Sequence, residues 1–192
     1  MSRIIAGSHK GRRLATPSGD ATRPTSDRVR EAVFSVLASE LGRAGDASQA
    51  LAGCGFLDLY AGSGAVAFEA ASRGASPVLA VESDRRAVQV IRRNIAETGL
   101  PVRARALTVE KFLVGPPSPF TICWLDPPYA VTPEAVETVL AQLADGWLAP
   151  GAIVAVERSS RSEPVRWPAR LGERWERRYG ETTVHFATEG DR

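Results

Sequence analysis

At 192 residues, 44 % of them hydrophobic, the chain matches one domain of ordinary size with a sizeable core. It has no run of 18 apolar residues, so no membrane span is expected, and its first residues, MSRIIAGSHKGRR, lack the apolar stretch of a signal peptide; a cytoplasmic protein is the expectation. The net charge of +2 conceals an asymmetry: residues 1–30 carry seven basic side chains against Asp20 and Asp27, a net of +5, while the remaining 162 residues sum to −3.

In chain order, Arg3–Ala6 and Arg12–Ala15 flank a Gly-Ser-His-Lys-Gly turn and predict a small β-hairpin with a basic tip. Ser26 or Thr25 then caps a helix whose apolar face is Val29, Val33, Phe34, Val36 and Leu37, with Asp27 suiting its dipole. Residues 42–54 are small and polar and predict a connector. From Phe56 a strand–helix rhythm begins. Strands are expected at Phe56–Tyr60, Val78–Glu82, Val102–Thr108, Thr121–Leu125 and Ala152–Glu157. Helices are expected at Ala65–Ser72, Asp84–Thr98 and Pro133–Ala144, and a closing hairpin runs from Trp175 to Thr188 around Tyr179-Gly-Glu181. Such units imply a mostly parallel sheet covered by helices on both faces. Cys54 and Cys123 have no C-x-x-C spacing and no histidine cluster beside them, so reduced thiols and no metal site are expected.

In an open α/β sheet, ligands bind beyond the C-terminal strand ends. Three motifs fall there. Asp58-Leu-Tyr-Ala-Gly62-Ser63-Gly64 joins strand to helix with glycines that let the backbone approach a ligand, although a plain tight turn reads the same way. Glu82, followed by Ser83, ends the next strand 18 residues beyond Gly64, where an acid suits two ribose hydroxyls. Gly62-x-Gly64-x-x-Ala67 loosely fits a dinucleotide fingerprint, but Asp58 would repel a pyrophosphate and attract an ammonium, which favours S-adenosylmethionine. The third motif, Asp126-Pro127-Pro128-Tyr129, ends a buried strand in a rigid turn. The Asp126 carboxylate and the Pro127 carbonyl suit the two hydrogens of a planar exocyclic amine, and Tyr129 suits stacking on its ring.

With these residues in place, the chain resembles the class I S-adenosylmethionine-dependent methyltransferases marked by (N/D/S)-P-P-(Y/F/W). It resembles more closely the bacterial 16S ribosomal RNA guanine-N2 methyltransferases of the RsmD family. Arg3-Ile-Ile-Ala-Gly7, Gly11-Arg-Arg-Leu14, Arg23-Pro-Thr-Ser-Asp-Arg-Val-Arg-Glu31, the glycine loop and Asp126-Pro-Pro-Tyr129 carry the likeness over essentially the whole chain. It implies a Rossmann-like, mostly parallel seven-stranded sheet, with residues 1–22 as a basic hairpin extension and 23–192 as the methyltransferase domain.

The resemblance further implies methyl transfer to the N2 amine of one guanine, within an assembled or nearly assembled small subunit. By position, Asp58, Gly62, Ser63 and Gly64 would meet the methionine part of the cofactor, and Glu82 and Ser83 its ribose. Asp126, Pro127, Pro128 and Tyr129 would handle the target base. Lys10, Arg12, Arg13, Arg23, Thr25, Arg28 and Arg30 would face RNA. Related enzymes place an Asp after the third strand to bind the adenine amine; here the stretch is Arg105-Ala-Leu-Thr-Val-Glu-Lys111, so Thr108 or the backbone near Val109 takes that place. A DNA adenine-N6 or cytosine-N4 methyltransferase shares the chemistry, but the chain has no insertion long enough for a target-recognition domain. A non-catalytic RNA-binding module would not need Asp126 beside an intact glycine loop. Nothing in the sequence requires more than a monomer.

Overall fold

The computed structural model describes residues 2–17, 26–43 and 45–190. Arg23 and Thr25, and the expected boundary between residues 22 and 23, lie outside them. Strands β1 (Ser2–Arg3) and β2 (Arg13–Leu14) form the small antiparallel hairpin, and α1 (Asp27–Glu40) follows, its N-cap Ser26 accepting the Val29 N–H. The main body then runs β3 (Phe56–Leu59), α2 (Ala65–Ser72), β4 (Val78–Glu82), α3 (Arg85–Thr98) and β5 (Val102–Ala106). It continues with α4 (Val109–Leu113), β6 (Phe120–Leu125), α5 (Pro133–Ala144), β7 (Leu148–Ser159), β8 (Leu171–Tyr179) and β9 (Thr182–Glu189).

The seven-stranded sheet has the order β5-β4-β3-β6-β7-β9-β8, parallel from β5 to β7 and closed by the antiparallel β8–β9 hairpin. Alternation along the strands divides the core between its faces. Phe56, Val78, Ala80, Ile122 and Trp124 meet α1, α2 and α3, whereas Leu57, Leu59, Val81, Cys123 and Leu125 meet α4 and α5. The centre of the sheet is buried on both sides, which is why β3 and β6 read as almost unbroken apolar runs. Order reverses at β3: the chain moves outward to β4 and β5, then returns to place β6 on the other flank of β3. In open α/β sheets ligands bind at such a reversal, here above the C-terminal ends of β3, β4 and β6.

Two expectations need correction. The third strand ends at Ala106, and Thr108 opens α4, a helix absent from the sequence reading. Five residues span too little for a helical period to register, although the Thr108 cap and Glu110 in the first turn are ordinary start signals. The fifth strand begins at Leu148, because Phe120 pairs with Leu148 before the ladder slips and resumes at Ile122–Ile153, so the Pro150-Gly151 pair sits within an irregular strand start.

The hairpin is docked along α2. Glu69, fully buried in a helix that is apolar apart from it and Ser72, accepts the backbone N–H groups of Ile5 (2.7 Å) and Ala6 (3.0 Å) and the Arg73 Nε–H (2.7 Å). Ser72 continues the seam, its hydroxyl donating to the Ala6 carbonyl and its own carbonyl accepting the Ser8 N–H. Gly7 is required here: it has φ +83°, and a Cβ would stand 2.0 Å from the Ser72 carbonyl oxygen.

Candidate active site

The candidate site is built from three strand ends. β3 stops at Leu59, and Tyr60 follows with φ +62°, a left-handed conformation that costs a non-glycine residue about 1 kcal/mol or more. Gly62 (φ +55°) and Gly64 (φ +79°) complete the reversal into α2. At Gly64 a Cβ would press on Phe68 and Ile91 at 3.1–3.2 Å, whereas at Gly62 it would meet nothing within 4 Å. Gly64 therefore serves packing and backbone turn, while the space where a Gly62 side chain would stand is open. Ser63 lies between them, its carbonyl accepting from Asn94 Nδ2 at 3.5 Å.

Three carboxylates converge at this loop. Glu82, at the end of β4, accepts the N–H groups of Gly62 (2.7 Å) and Asp84 (2.8 Å), with the exposed Ser83 hydroxyl at 3.5 Å. Asp84 in turn caps α3. Asp126 follows β6, its N–H reaching the Leu59 carbonyl at 3.4 Å across the β3–β6 junction. Asp58 lies lower, in β3 itself, and is only 1 % exposed. The sequence placed its carboxylate against a ligand ammonium. Instead it is under the loop and accepts the Ala67 N–H at 3.1 Å, fixing the first turn of α2. Burial raises its carboxyl well above the usual range; the Ala67 hydrogen bond opposes that, and the nearby charges of Asp126 and Glu82 reinforce it.

Beyond Asp126 the turn behaves as its prolines dictate. Pro127 is buried, Pro128 is exposed and accepts the Val131 N–H (2.9 Å), and Thr132 caps α5. Tyr129 is 81 % exposed, one of three large hydrophobic side chains left in solvent among the described residues. Leu107, which precedes α4, is another. The adenine-side expectation changes in detail: the Thr108 hydroxyl accepts the Lys111 N–H as the α4 cap, and the Val109 side chain is buried. The Val109 backbone is the other group the sequence offered for that contact.

The RNA-facing set divides. Lys10, Arg12 and Arg13 are exposed on the hairpin and Arg28 is exposed on α1. Arg30 is not on that surface. It is 2 % exposed, donates through Nη2 to the Arg3 carbonyl (2.7 Å) and to Asp27 (3.0 Å), and holds Nε 4.0 Å from Glu69. The i, i+2 spacing from Arg28 turns it toward the core, where it helps dock the hairpin.

Two polar residues missed in the sequence bind the hairpin strand to the methyltransferase body. Glu69 is one. The other is Asn94, fully buried, whose amide accepts the Ala15 N–H (2.8 Å) and donates to the Ala15 carbonyl (3.1 Å) as well as reaching Ser63. Asn94 thus joins the arm to the glycine loop. The signal was present: Ala87, Val88, Ile91 and Asn94 share one helix face, and a polar residue on an apolar stripe asks for a partner.

A family model described as "Conserved hypothetical protein 95" matches residues 2–188. Ribosomal RNA small subunit methyltransferase D of Escherichia coli (strain K12) is 36 % identical over 160 residues, covering 81 % of this chain and 73 % of that protein. The chain belongs to the RsmD family. Among solved structures, the "Putative methyltransferase yhhF from Escherichia coli" superposes with TM-score 0.82 and 29 % identity, over 99 % of this chain and 98 % of that one. An RNA methyltransferase from Salinibacter ruber in complex with S-adenosyl-L-homocysteine shares the fold, with TM-score 0.65 at 19 % identity over 88 % of this chain and 95 % of that one. The Rossmann-like class I methyltransferase architecture expected for the RsmD family is therefore the one observed, hairpin and seven-stranded sheet included. Among the described residues no helix is long and apolar enough to cross a membrane, and no cluster of His, Cys, Asp and Glu has metal-holding geometry.

Proposed function

We propose that this protein transfers a methyl group from S-adenosylmethionine to the exocyclic N2 amine of a guanine in 16S ribosomal RNA, acting on the small ribosomal subunit. The observation that carries the reading is the exposure of the Tyr129 ring three residues after Asp126, whose carboxylate lies near those of Asp58 and Glu82 at the strand ends. Family membership supports it, since the E. coli relative is named for methylation of small-subunit ribosomal RNA.

The residues present fit the cofactor. Glu82 would hold its ribose and the glycine loop at Gly62 its methionine portion, with Asp58 beneath the loop releasing its proton as a cation binds above it. A pyrophosphate-bearing dinucleotide would meet the carboxylates of Glu82 and Asp126 and fits poorly. When bound, S-adenosylmethionine supplies an electrophilic methyl group; everything else falls to the chain. Tyr129 stacks on the base and holds its plane. Asp126 and the Pro127 carbonyl accept the two amine hydrogens, drawing the nitrogen lone pair out of conjugation. Asp126 then takes the proton that the methylated nitrogen releases. The rigid Pro127-Pro128 pair keeps both acceptors in place without a competing N–H.

The test is direct. The protein is incubated with methyl-labelled S-adenosylmethionine and unmodified small subunits, naked ribosomal RNA or DNA, and the products are digested to nucleosides. Labelled N2-methylguanosine from subunits is expected. Label in N6-methyladenine or N4-methylcytosine from DNA would keep the chemistry and overturn the substrate.

A further inference from the structure

Residues 85–107 carry six arginines (Arg85, Arg86, Arg92, Arg93, Arg103 and Arg105) against one acid, Glu97, a net of +5. Residues 1–30 also total +5, so the rest of the chain, with the overall charge at +2, sums to −8. A third basic stretch, residues 158–178 with seven arginines against three acids, lies around the β8 edge, whereas the fold places the first two segments together. The hairpin's Arg12 donates to the Glu97 carbonyl at the end of α3, and Ala15 is held by Asn94 of the same helix.

On α3 the four arginines share the outward face, because the pairs 85/92 and 86/93 are seven residues apart, about two turns or roughly 10 Å along the axis. All four are exposed, as are Arg103 and Arg105 on the edge strand β5. Registered against Leu79 and Val81, the two β5 arginines emerge on the sheet face opposite α3, so the basic surface wraps around the β5 edge. Only Arg93 has an ion-pair partner in its own helix, Glu97 at 2.7 Å. Arg92, Arg103 and Arg105 have no carboxylate within ion-pair distance among the described residues.

Stability does not account for this pattern. Arg85 and Arg86 stand in the first turn of α3 and Glu97 in its last, the reverse of what the helix dipole favours. An edge strand needs charge to avoid pairing with other sheets, but either sign serves that purpose, and it does not extend to α3. A surface with six arginines against Glu97, placed against the electrostatic preference of its own helix and adjoining the hairpin, fits a polyanion.

We propose that the outer face of α3 and the β5 edge bind the phosphate backbone of the folded ribosomal RNA substrate, extending the hairpin's contact surface around the side of the domain. The proposal rests on the RNA-methyltransferase reading above. The probe is the triple variant Arg92→Gln/Arg103→Gln/Arg105→Gln, with Arg170→Gln/Arg177→Gln/Arg178→Gln at the opposite edge of the sheet as an equal loss of charge. Binding to naked small-subunit ribosomal RNA and to small subunits is measured across about 50–200 mM salt, together with cofactor affinity. Each lost phosphate contact lowers the slope of log affinity against log salt by about 0.7–0.9, so the first triple variant is expected to lose about 2 from the slope and to bind at least about tenfold more weakly at low salt. Cofactor affinity stays unchanged, the opposite-edge variant behaves as wild type, and an Arg→Lys version of the first triple restores the slope. Wild-type slope and affinity in the first triple, while the wild-type protein methylates subunits, would overturn this surface and leave the function standing. An equal loss in both triples would reduce the effect to net charge and also overturn it. Weakened binding to subunits with unchanged binding to naked RNA would assign the face to a ribosomal protein instead. Failure of the wild-type protein to bind or methylate RNA at all would remove both proposals.

Discussion

Replacing Glu69 by Ala should release the N-terminal hairpin while leaving the candidate cofactor site in place. Its carboxylate is fully buried, accepts two backbone N–H groups and the Arg73 Nε–H, and faces Arg30 Nε at 4.0 Å. Truncation leaves two buried guanidinium groups without their common anion and two amides without acceptors. Removing one member of a buried ion pair costs about 3–5 kcal/mol. For a domain of this size that lowers Tm by about 6–20 °C. Glu69→Gln keeps one acceptor oxygen and the side-chain volume but loses the charge, so its cost should fall between wild type and the alanine variant. Urea unfolding gives the free energies, and hydrogen exchange at Ile5 and Ala6 reads hairpin docking itself. Because the hairpin carries Lys10, Arg12 and Arg13, KM for ribosomal RNA should rise in the surviving folded protein while cofactor affinity holds. A loss below about 1 kcal/mol with Ile5 and Ala6 still protected would refute the assignment of Glu69 as the hairpin's anchor.

Asp126→Ala should lower kcat by about a hundredfold at unchanged cofactor affinity, as measured by single-turnover methyl transfer and calorimetry; near-wild-type turnover would remove its role as acceptor. Asp58 is held protonated to a higher pH in the folded chain than in the unfolded one, so unfolding free energy should fall as pH rises from the ordinary carboxyl pKa through the raised one. Asp58→Asn should abolish that slope, and also the rise in cofactor affinity with pH that displacement of the proton by a cation produces; parallel pH–stability curves for the two proteins would contradict this. Arg28 and Arg30 should separate: Arg28→Glu weakens RNA binding at wild-type stability, whereas Arg30→Glu, placing an acid beside Asp27 and Glu69, destabilises by roughly 3–5 kcal/mol. Equal effects of the two on RNA affinity and on urea unfolding would refute the burial argument.

Much of this molecule is determined locally. Helices α2 and α5 and strand β4 have the ends that their glycines, caps and apolar runs announce, since a turn residue or an N-cap acts within a few positions of itself. The glycine loop and Asp126-Pro-Pro-Tyr129 were legible as strand-end motifs for the same reason: backbone reversal after β3 and proline rigidity after β6 are properties of the segments themselves. Arg30 was not legible, because its neighbour Arg28 has the same charge and lies in the same helix. Only the packing of α1 against α2 and the hairpin decides that one guanidinium is solvated and the other buried. Glu69 and Asn94 depend likewise on partners more than 60 residues away, and α4 was too short to carry a period. The site itself belongs to the tertiary structure. Asp58, Glu82 and Asp126 meet because the sheet reverses its order at β3 and inserts β6 beside it, a long-range choice that raises the buried carboxyl of Asp58 and that no local pattern encodes.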